Sequence, residues 1–404
     1  MVYMNLALLA AFAYFYSVTS GRLERTPVNG AIVFTGFGLI VGPLGLGLLN
    51  LNVDTEGLRS IAELTLAMVL FTDAANADLR VLRQLIGIPQ RLLLIGLPLT
   101  ILLGLGLGIL ILDGLTLLEI AIVATMLAPT DAALGKAVVT NESVPAGIRE
   151  SLNVESGLND GICVPILFLF LALAAGGETQ GGPAVLALKL VVEEIGIGVA
   201  VAVGVAGLGS WLLKISERRG WVTESWRQLP VVTLAVGCFA LAQALGGSGF
   251  IAAFAGGLLF GWLARTHKPA YLLAAEGTGD TLALLTWVIF GAVVVGHGIE
   301  HLTWEVVLYA LLSLTVIRML PVFLVLAGTD LRPDEKLFMG WFGPRGLASI
   351  VFGVIVINEH LPGGDTLTIT VVSTVVLSIV AHGLSANPLV GALAVRLKRA
   401  SVGK

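Results

Sequence analysis

Apolar residues fill most of the chain in stretches of about 17 to 30 residues, separated by short clusters of glycine, proline, polar and charged residues. A helix of about 20 apolar residues is long enough to cross the hydrocarbon core of a bilayer. The pattern therefore predicts an all-α polytopic membrane protein with thirteen transmembrane helices. The predicted spans are 2–20, 28–50, 58–77, 88–112, 116–139, 147–175, 184–214, 229–246, 249–264, 281–298, 303–328, 335–358 and 367–395.

Composition supports this class. Of 404 residues, 56% are hydrophobic and 12% charged, against about 25% charged in soluble domains. We therefore predict a single transmembrane unit over residues 1–404. A net charge of -4 offers no basic surface for nucleic acid, so no nucleic-acid partner is expected. The first 20 residues lack a basic segment and a clear cleavage site, which predicts a retained span rather than a signal peptide.

The distribution of lysine and arginine predicts the orientation of the chain. Cytoplasmic loops carry an excess of these residues. Eighteen of the 23 lie at the ends of odd-numbered spans or in the loops that follow them. The N-terminus is therefore expected outside and the C-terminus in the cytoplasm. The membrane is expected to be the cell, or inner, membrane.

Two spans carry a proline flanked by polar residues near the middle of the bilayer. Pro129 lies in span 5 and Pro344 in span 12, seven spans apart. An odd offset reverses orientation, so spans 1–6 and 8–13 are predicted to be inverted repeats, each with one broken crossing helix. Proline removes a backbone donor, and the freed carbonyl must face protein or a wet cavity. The alternative is a plain proline kink in each helix.

Acidic residues inside these spans are the main candidates for function. Inserting a carboxylate at the centre of a membrane helix costs about 2.5 to 3.5 kcal/mol, so each such residue is expected to have a charged partner or a function. Small hard cations prefer oxygen ligands, and a broken helix adds free carbonyls to carboxylates and hydroxyls. The sequence therefore predicts an oxygen site for a monovalent cation. Its candidate ligands are Asp160, Asp131, Ser156, Thr130 and Asp73.

Two buried arginines leave another interpretation open for some of these acids. Arg318 and Arg345 lie within predicted spans and need counter-ions. Glu155 is expected to be such a counter-ion, paired with either arginine. In an α-helix, residues four positions apart lie on the same face. Glu155 and Asn159 therefore share one face of span 6, and Ser156 and Asp160 share the adjoining face.

The motifs at these positions resemble the NhaP-type sodium/proton antiporters of the monovalent cation:proton antiporter-1 family, which also includes the animal sodium/hydrogen exchangers. The resemblance spans nearly the whole chain. It rests on Arg318, on Asp73 at the end of span 3, and on the motifs APTDA at 128–132, ESGLND at 155–160, GSGFIAAFAGGLLFG at 247–261 and GPRG at 343–346.

This resemblance implies an architecture. It implies a thirteen-span inverted-repeat fold, a homodimer, and a core that moves against a dimerisation part. The dimerisation part would cover about 1–80 and 184–298, and the core about 88–175 and 303–395. About ten residues follow the last predicted span, so no regulatory domain is expected.

The resemblance also implies residue roles. Asp160 would be the principal carboxylate for cation and proton, with Asp131, Ser156 and the carbonyl of Thr130 around the ion. Asp73 would approach from the dimerisation part. Family members commonly carry Glu there, and the shorter side chain puts its direct contact with the ion in question.

Asn159 stands where electrogenic relatives have a second Asp, which implies electroneutral exchange of one cation for one proton. Asn159, Glu155, Arg345 and Arg318 would support the site. The expected function is sodium or lithium exchange for protons by alternating access, with no cofactor and no enzymatic activity. The alternatives are a potassium/proton antiporter and, in a different class, a cation channel or ion-sensing subunit.

Overall fold

The computed structural model describes residues 2–23, 26, 28–49, 55–77, 87–131, 134–139, 141–175, 183–264, 268–295 and 302–402. Within these ranges the chain forms helices, turns and short extended stretches, and no strand. The all-α prediction is therefore confirmed. Five of the basic residues used to predict orientation lie outside the described ranges: Arg25, Arg80, Arg83, Arg265 and Lys404.

We number the helices α1 to α13 in chain order and divide two broken ones into a and b. They are α1 Val2–Leu23, α2 Gly30–Val41, α3 Thr55–Asn76, α4 Ile88–Ile111, α5a Leu117–Met126, α5b Lys136–Val139, α6 Ala146–Ala174, α7 Pro183–Ala202 continued through Leu208–Arg218, α8 Leu229–Ala244, α9 Gly249–Leu263, α10 Lys268–Ile289 continued through Phe290–Val294, α11 Trp304–Leu314 with Val316–Val325, α12a Pro333–Trp341, α12b Leu347–Asn358 and α13 Gly364–Val402.

Seven helices in the described ranges are long and apolar enough to cross a membrane, and five others are apolar but only 10 to 17 residues long. The chain is thus an integral membrane protein. The count of thirteen crossings stays a prediction. Short apolar helices are expected in this architecture, because the two broken helices each divide one crossing between two segments.

Three predicted boundaries are wrong. α10 begins at Lys268 rather than 281, because Glu276, taken for a loop residue, lies on the helix and accepts a hydrogen bond of 2.6 Å from Asn76 of α3. α2 ends at Val41, since the chain turns at Gly42. α13 continues to Val402, so residues beyond 395 prolong a helix.

Helix α9 packs directly on the main chain of α3. A Cβ atom at Gly257 would overlap the carbonyl oxygen of Phe71, and one at Gly261 would overlap that of Ala75. Only glycine permits backbones to approach this closely. The small residues of the 247–261 motif therefore serve helix packing, and α3 is held with Asp73 in its last turn.

Helix α11 is interrupted, which the sequence did not indicate. Thr315 has φ -111° and ψ -91°, outside helical geometry, and separates the two segments of the helix. The first segment ends at Leu314, so its last carbonyls lie beside the core of the molecule without continuing the helix. One of these carbonyls, from Ser313, takes part in the site described next.

Candidate functional site

Helices α5 and α12 are both broken, and they cross where their chains are not helical. The helix α5a ends at Met126 and α12a at Trp341, and the non-helical stretches that follow contain Pro129 and Pro344. By contrast, three other prolines lie inside helical segments: Pro165, Pro321 and Pro388. The predicted breaks at Pro129 and Pro344 are therefore confirmed.

Two hydrogen bonds join the stretches at the crossing. The backbone N–H of Asp131 donates to the carbonyl of Pro344 at 2.8 Å. The hydroxyl of Ser349 in α12b donates to the carbonyl of Met126 at 2.7 Å, which satisfies a carbonyl at the end of α5a. The crossing is thus fixed by main-chain atoms of both helices together with the hydroxyl of Ser349.

The carboxylate of Asp131 caps two chain segments. Its Oδ2 accepts from the N–H of Leu347, the first residue of α12b, at 2.9 Å. Its Oδ1 accepts from the N–H of Leu134 at 3.3 Å. Gly346, which precedes α12b, has no side chain to cap that helix, and a carboxylate near a helix N-terminus is stabilised by the helix dipole. Asp131 therefore has a structural role besides the predicted ligand role.

Helix α6 contacts the extended stretch of α5 through its polar side chains. Ser156 donates to the carbonyl of Thr130 at 2.6 Å, and the amide of Asn159 donates to the hydroxyl of Thr130 at 2.7 Å. All three side chains are buried. The structure thus brings together Thr130, Ser156 and Asn159, as the sequence predicted.

Asp160 is the buried acid with an unused acceptor. Its side chain is 8% exposed, and its Oδ1 accepts no hydrogen bond from the described residues. The carboxylates of Asp131 and Asp73 are its electrostatic neighbours. A buried carboxylate without donors is costly unless it binds a proton or a cation. This oxygen therefore marks the most suitable place for an exchangeable ion.

Asp73 reaches the same region from α3. A Cβ atom at Gly157 of α6 would lie 3.5 Å from the Cβ of Asp73 and 3.6 Å from its carbonyl oxygen. These are ordinary van der Waals distances, and Gly157 follows Ser156 directly, so α3 brings its acid beside the polar face of α6. The structure thus places Asp73 among the predicted ligands.

Glu155 pairs with Arg318. The guanidinium of Arg318 donates from both terminal nitrogens, at 2.5 and 2.8 Å to the two carboxylate oxygens, and both residues are 1% exposed. Bidentate pairing of this kind is strong and geometrically specific. The choice that the sequence left open is thereby decided. Glu155 joins α6 to α11 and its carboxylate is fully engaged by the arginine.

Arg345 binds carbonyl oxygens. Its terminal nitrogens donate to the carbonyls of Gly343 and, at 3.4 Å, of Ser313 near the interruption of α11, and its backbone N–H donates to Ser378 at 2.7 Å. The residue is fully buried. Arg345 therefore stabilises the break in α12 and the end of the first α11 segment, and does not pair with Glu155.

Glu119 is a buried acid that the sequence analysis did not identify. Glu119 forms a capping box with Thr116 at the start of α5a and also accepts, at 2.6 Å, from the N–H of Gly363 just before α13. Its pattern, a threonine followed three residues later by glutamate, is a readable N-terminal signal. The second contact joins α5a to α13 and could be found only from the structure.

An integral membrane protein in which two broken helices cross beside buried carboxylates has the features of the secondary transporters. The family described as sodium/hydrogen exchanger, transmembrane, matches residues 7–392. The chain belongs to this family, and the resemblance noted from its motifs is confirmed.

Curated relatives match at low identity. A protein of Schizosaccharomyces pombe named Na(+)/H(+) antiporter is 25% identical over 307 residues, covering 67% of this chain and 64% of that protein. The protein of Shewanella sp. strain ANA-3 named K(+)/H(+) antiporter NhaP2 is 22% identical over 380 residues, covering 94% and 64%. The chain thus spans about two thirds of the length of each.

The fold also matches a solved structure. The sodium proton antiporter MjNhaP1 from Methanocaldococcus jannaschii, determined at pH 8, superposes with a TM-score of 0.76 at 21% identity, covering 95% of this chain and 99% of that one. The predicted fold class is therefore confirmed.

Proposed function

We propose that the chain is a secondary antiporter that exchanges sodium or lithium for protons by alternating access. The observation that carries the proposal is the unused acceptor of buried Asp160 beside the α5–α12 crossing. Family membership and the names of two similar proteins support sodium and protons as the transported ions. The transported ions are substrates, and no cofactor is required.

The ligands in this proposal are the oxygens that meet around Asp160: Asp160, Asp131, Ser156, the carbonyl of Thr130, and Asp73. A hydroxyl or carboxylate oxygen that already takes part in one hydrogen bond keeps a lone pair for a cation. Asp160 binds a proton or a cation in turn. Asn159 holds Thr130, while Glu155, Arg318 and Arg345 position the helices around the site.

Alternating access would move two groups of helices against each other. The core, about 88–175 and 303–395, carries the crossing. The dimerisation part, about 1–80 and 184–298, carries Asp73 and would form a homodimer. One face of α1 packs on α2, while Tyr3, Met4, Tyr14 and Phe15 are exposed within one subunit and are available to a partner or lipid. The protein would lie in the cell membrane with its N-terminus outside.

A potassium/proton antiporter is the second candidate, favoured by the name of the Shewanella relative. A cation channel or ion-sensing subunit on the same scaffold is the alternative from another class.

The decisive experiment measures proton flux in proteoliposomes driven by sodium, lithium or potassium gradients, together with the electrical current across the membrane. Flux with sodium and lithium supports the proposal. Flux with potassium alone would favour the second candidate, and a cation current without coupled proton movement would favour a channel.

Exchange should be electroneutral. Since Asn159 cannot ionise, one carboxylate alternating between one proton and one monovalent cation moves no net charge. A transported charge would gain about 2.3 kcal/mol per 100 mV. The sodium gradient at which proton flux reverses should therefore be the same in vesicles clamped at zero and at a large potassium-valinomycin potential. A reversal point that shifts with voltage would mean that a second acid, such as Asp131, also releases its proton.

Gly346→Ala should reduce exchange strongly without changing any charge. A Cβ atom at this position would overlap the carboxylate of Asp131 and displace it from the N-terminus of α12b. Misplacing a functional group by about 1 Å can cost roughly a hundredfold in rate, so we expect exchange to fall by about that factor. The measurement is sodium-driven proton flux.

The matched control is Gly391→Ala in α13, where an added Cβ has no neighbour within 4 Å. This variant should exchange like the wild type. Equal activity of Gly346→Ala and wild type would show that the position of the Asp131 carboxylate is unimportant to transport.

A further inference from the structure

A polar cavity of about 460 Å³ lies away from the α5–α12 crossing, at the end of α7 and beside the end of α9 and the start of α10. Three cationic side chains line it, from Lys214, Arg218 and Arg227, with the single carboxylate of Glu217. The lining therefore carries an excess of positive charge.

One buried donor in this lining is unused. The Nε of Arg227 forms no hydrogen bond with the described residues. The hydroxyl of Tyr271, a residue that is 1% exposed, interacts with the side chains of Glu217 and Arg227. One carboxylate balances the charge of only one of the three cations, and a buried donor left unpaired is costly. The cavity is thus suited to a ligand that only accepts hydrogen bonds, such as a phosphate.

Exposed tryptophans indicate the level in the membrane at which the cavity lies. Trp221 and Trp226, in the segment between α7 and α8, are 64% and 66% exposed, and Trp262, next to lining residue Leu263, is 53% exposed. Tryptophan is enriched where lipid headgroups meet the hydrocarbon. Arg219 lies over the ring of Trp221 at 4.8 Å. The cavity opens at headgroup level, on the side that the basic residues predict to be cytoplasmic.

We propose that this cavity binds the headgroup phosphate of an anionic phospholipid from the adjoining leaflet. Basic pockets between membrane helices on the cytoplasmic side bind such headgroups, because the phosphate meets the cations while its acyl chains stay in the bilayer. The apolar residues Leu213 and Leu263 line the same cavity and are suited to contact the first carbons of the acyl chains. The site is separate from the exchange site, so it does not depend on the proposed cargo.

The test uses the full chain in detergent and measures its thermal unfolding while lipid is added. Phosphatidylglycerol should raise the melting temperature in a saturable way, whereas phosphatidylcholine should not. Lys214→Gln combined with Arg218→Gln, and separately Arg227→Gln, should each weaken the apparent affinity for phosphatidylglycerol by about tenfold, since hydrogen bonds to charged groups contribute that much.

Three comparisons make the test decisive. Arg219→Gln removes a cation from the same segment but outside the cavity lining, and should leave the lipid response unchanged. Lys214 and Arg218 are exposed, so their replacement does not endanger folding. An equal loss with Arg219→Gln, or an equal response to phosphatidylcholine, would overturn the proposal. Stabilisation by inorganic phosphate equal to that by phosphatidylglycerol would show a free-anion site instead of a lipid site.

Discussion

Asp160→Asn is expected to reduce sodium-driven proton flux to that of protein-free liposomes, while the variant still folds. The amide keeps the size of the carboxylate but cannot take up or release a proton, and it offers a cation no negative charge. Since the carboxylate is buried with an unused acceptor, its replacement removes a desolvation cost. The melting temperature should therefore equal or exceed that of the wild type.

The control is Asp113→Asn, which removes an exposed carboxylate beyond the end of α4. It should leave exchange unchanged. If purified Asp160→Asn exchanged at the wild-type rate, the exchangeable acid would have to be another of the group, with Asp131 the first to examine.

Breaking the Glu155–Arg318 pair should destabilise the protein more than any other single substitution in the core. Glu155→Gln leaves a buried guanidinium without its counter-ion, and such a loss costs about 3 to 5 kcal/mol. The same reasoning holds for Arg318→Gln. Thermal unfolding in detergent is the measurement, and both variants should melt well below the wild type.

A double substitution distinguishes the effect of the ion pair from the effect of burying two side chains at these positions. Glu155→Leu with Arg318→Met exchanges the pair for apolar side chains and should recover much of the loss, because well-packed apolar residues often replace a buried ion pair at little cost. The partly exposed pair of Arg332 with Asp334 at 2.9 Å supplies the control, since Arg332→Gln should cost at most about 1 kcal/mol. Singles that melt like the wild type would mean that the pair is not needed for stability.

The positions of the broken helices were predictable from the sequence because a mid-span proline with polar neighbours is a local signal. Pro129 and Pro344 each stand within two residues of a charged side chain, Asp131 and Arg345, whereas the prolines inside helical segments do not. The interruption of α11 at Thr315 has no such signal. The nearby carbonyl of Ser313 accepts a hydrogen bond from Arg345 of α12, a contact that no local pattern records.

Candidate residues could be named from the sequence, but their partners could not. Asp131 and Asp160 look alike as intramembrane acids, yet one caps helix α12b and the other has an unused oxygen. Glu155 could have paired with either buried arginine. The choice depends on the rotation of α6 against α11, which is a property of packing rather than of either segment alone.

The hydrogen bond between the N–H of Asp131 and the carbonyl of Pro344 uses only main-chain atoms. Substitution of a side chain that does not itself hold the crossing therefore leaves the atoms of this joint in place. A lineage can thus change such a position, the proposed ligand Asp73 among them, while each intermediate protein keeps the crossing. Selectivity should consequently diverge faster in this architecture than the scaffold that carries it.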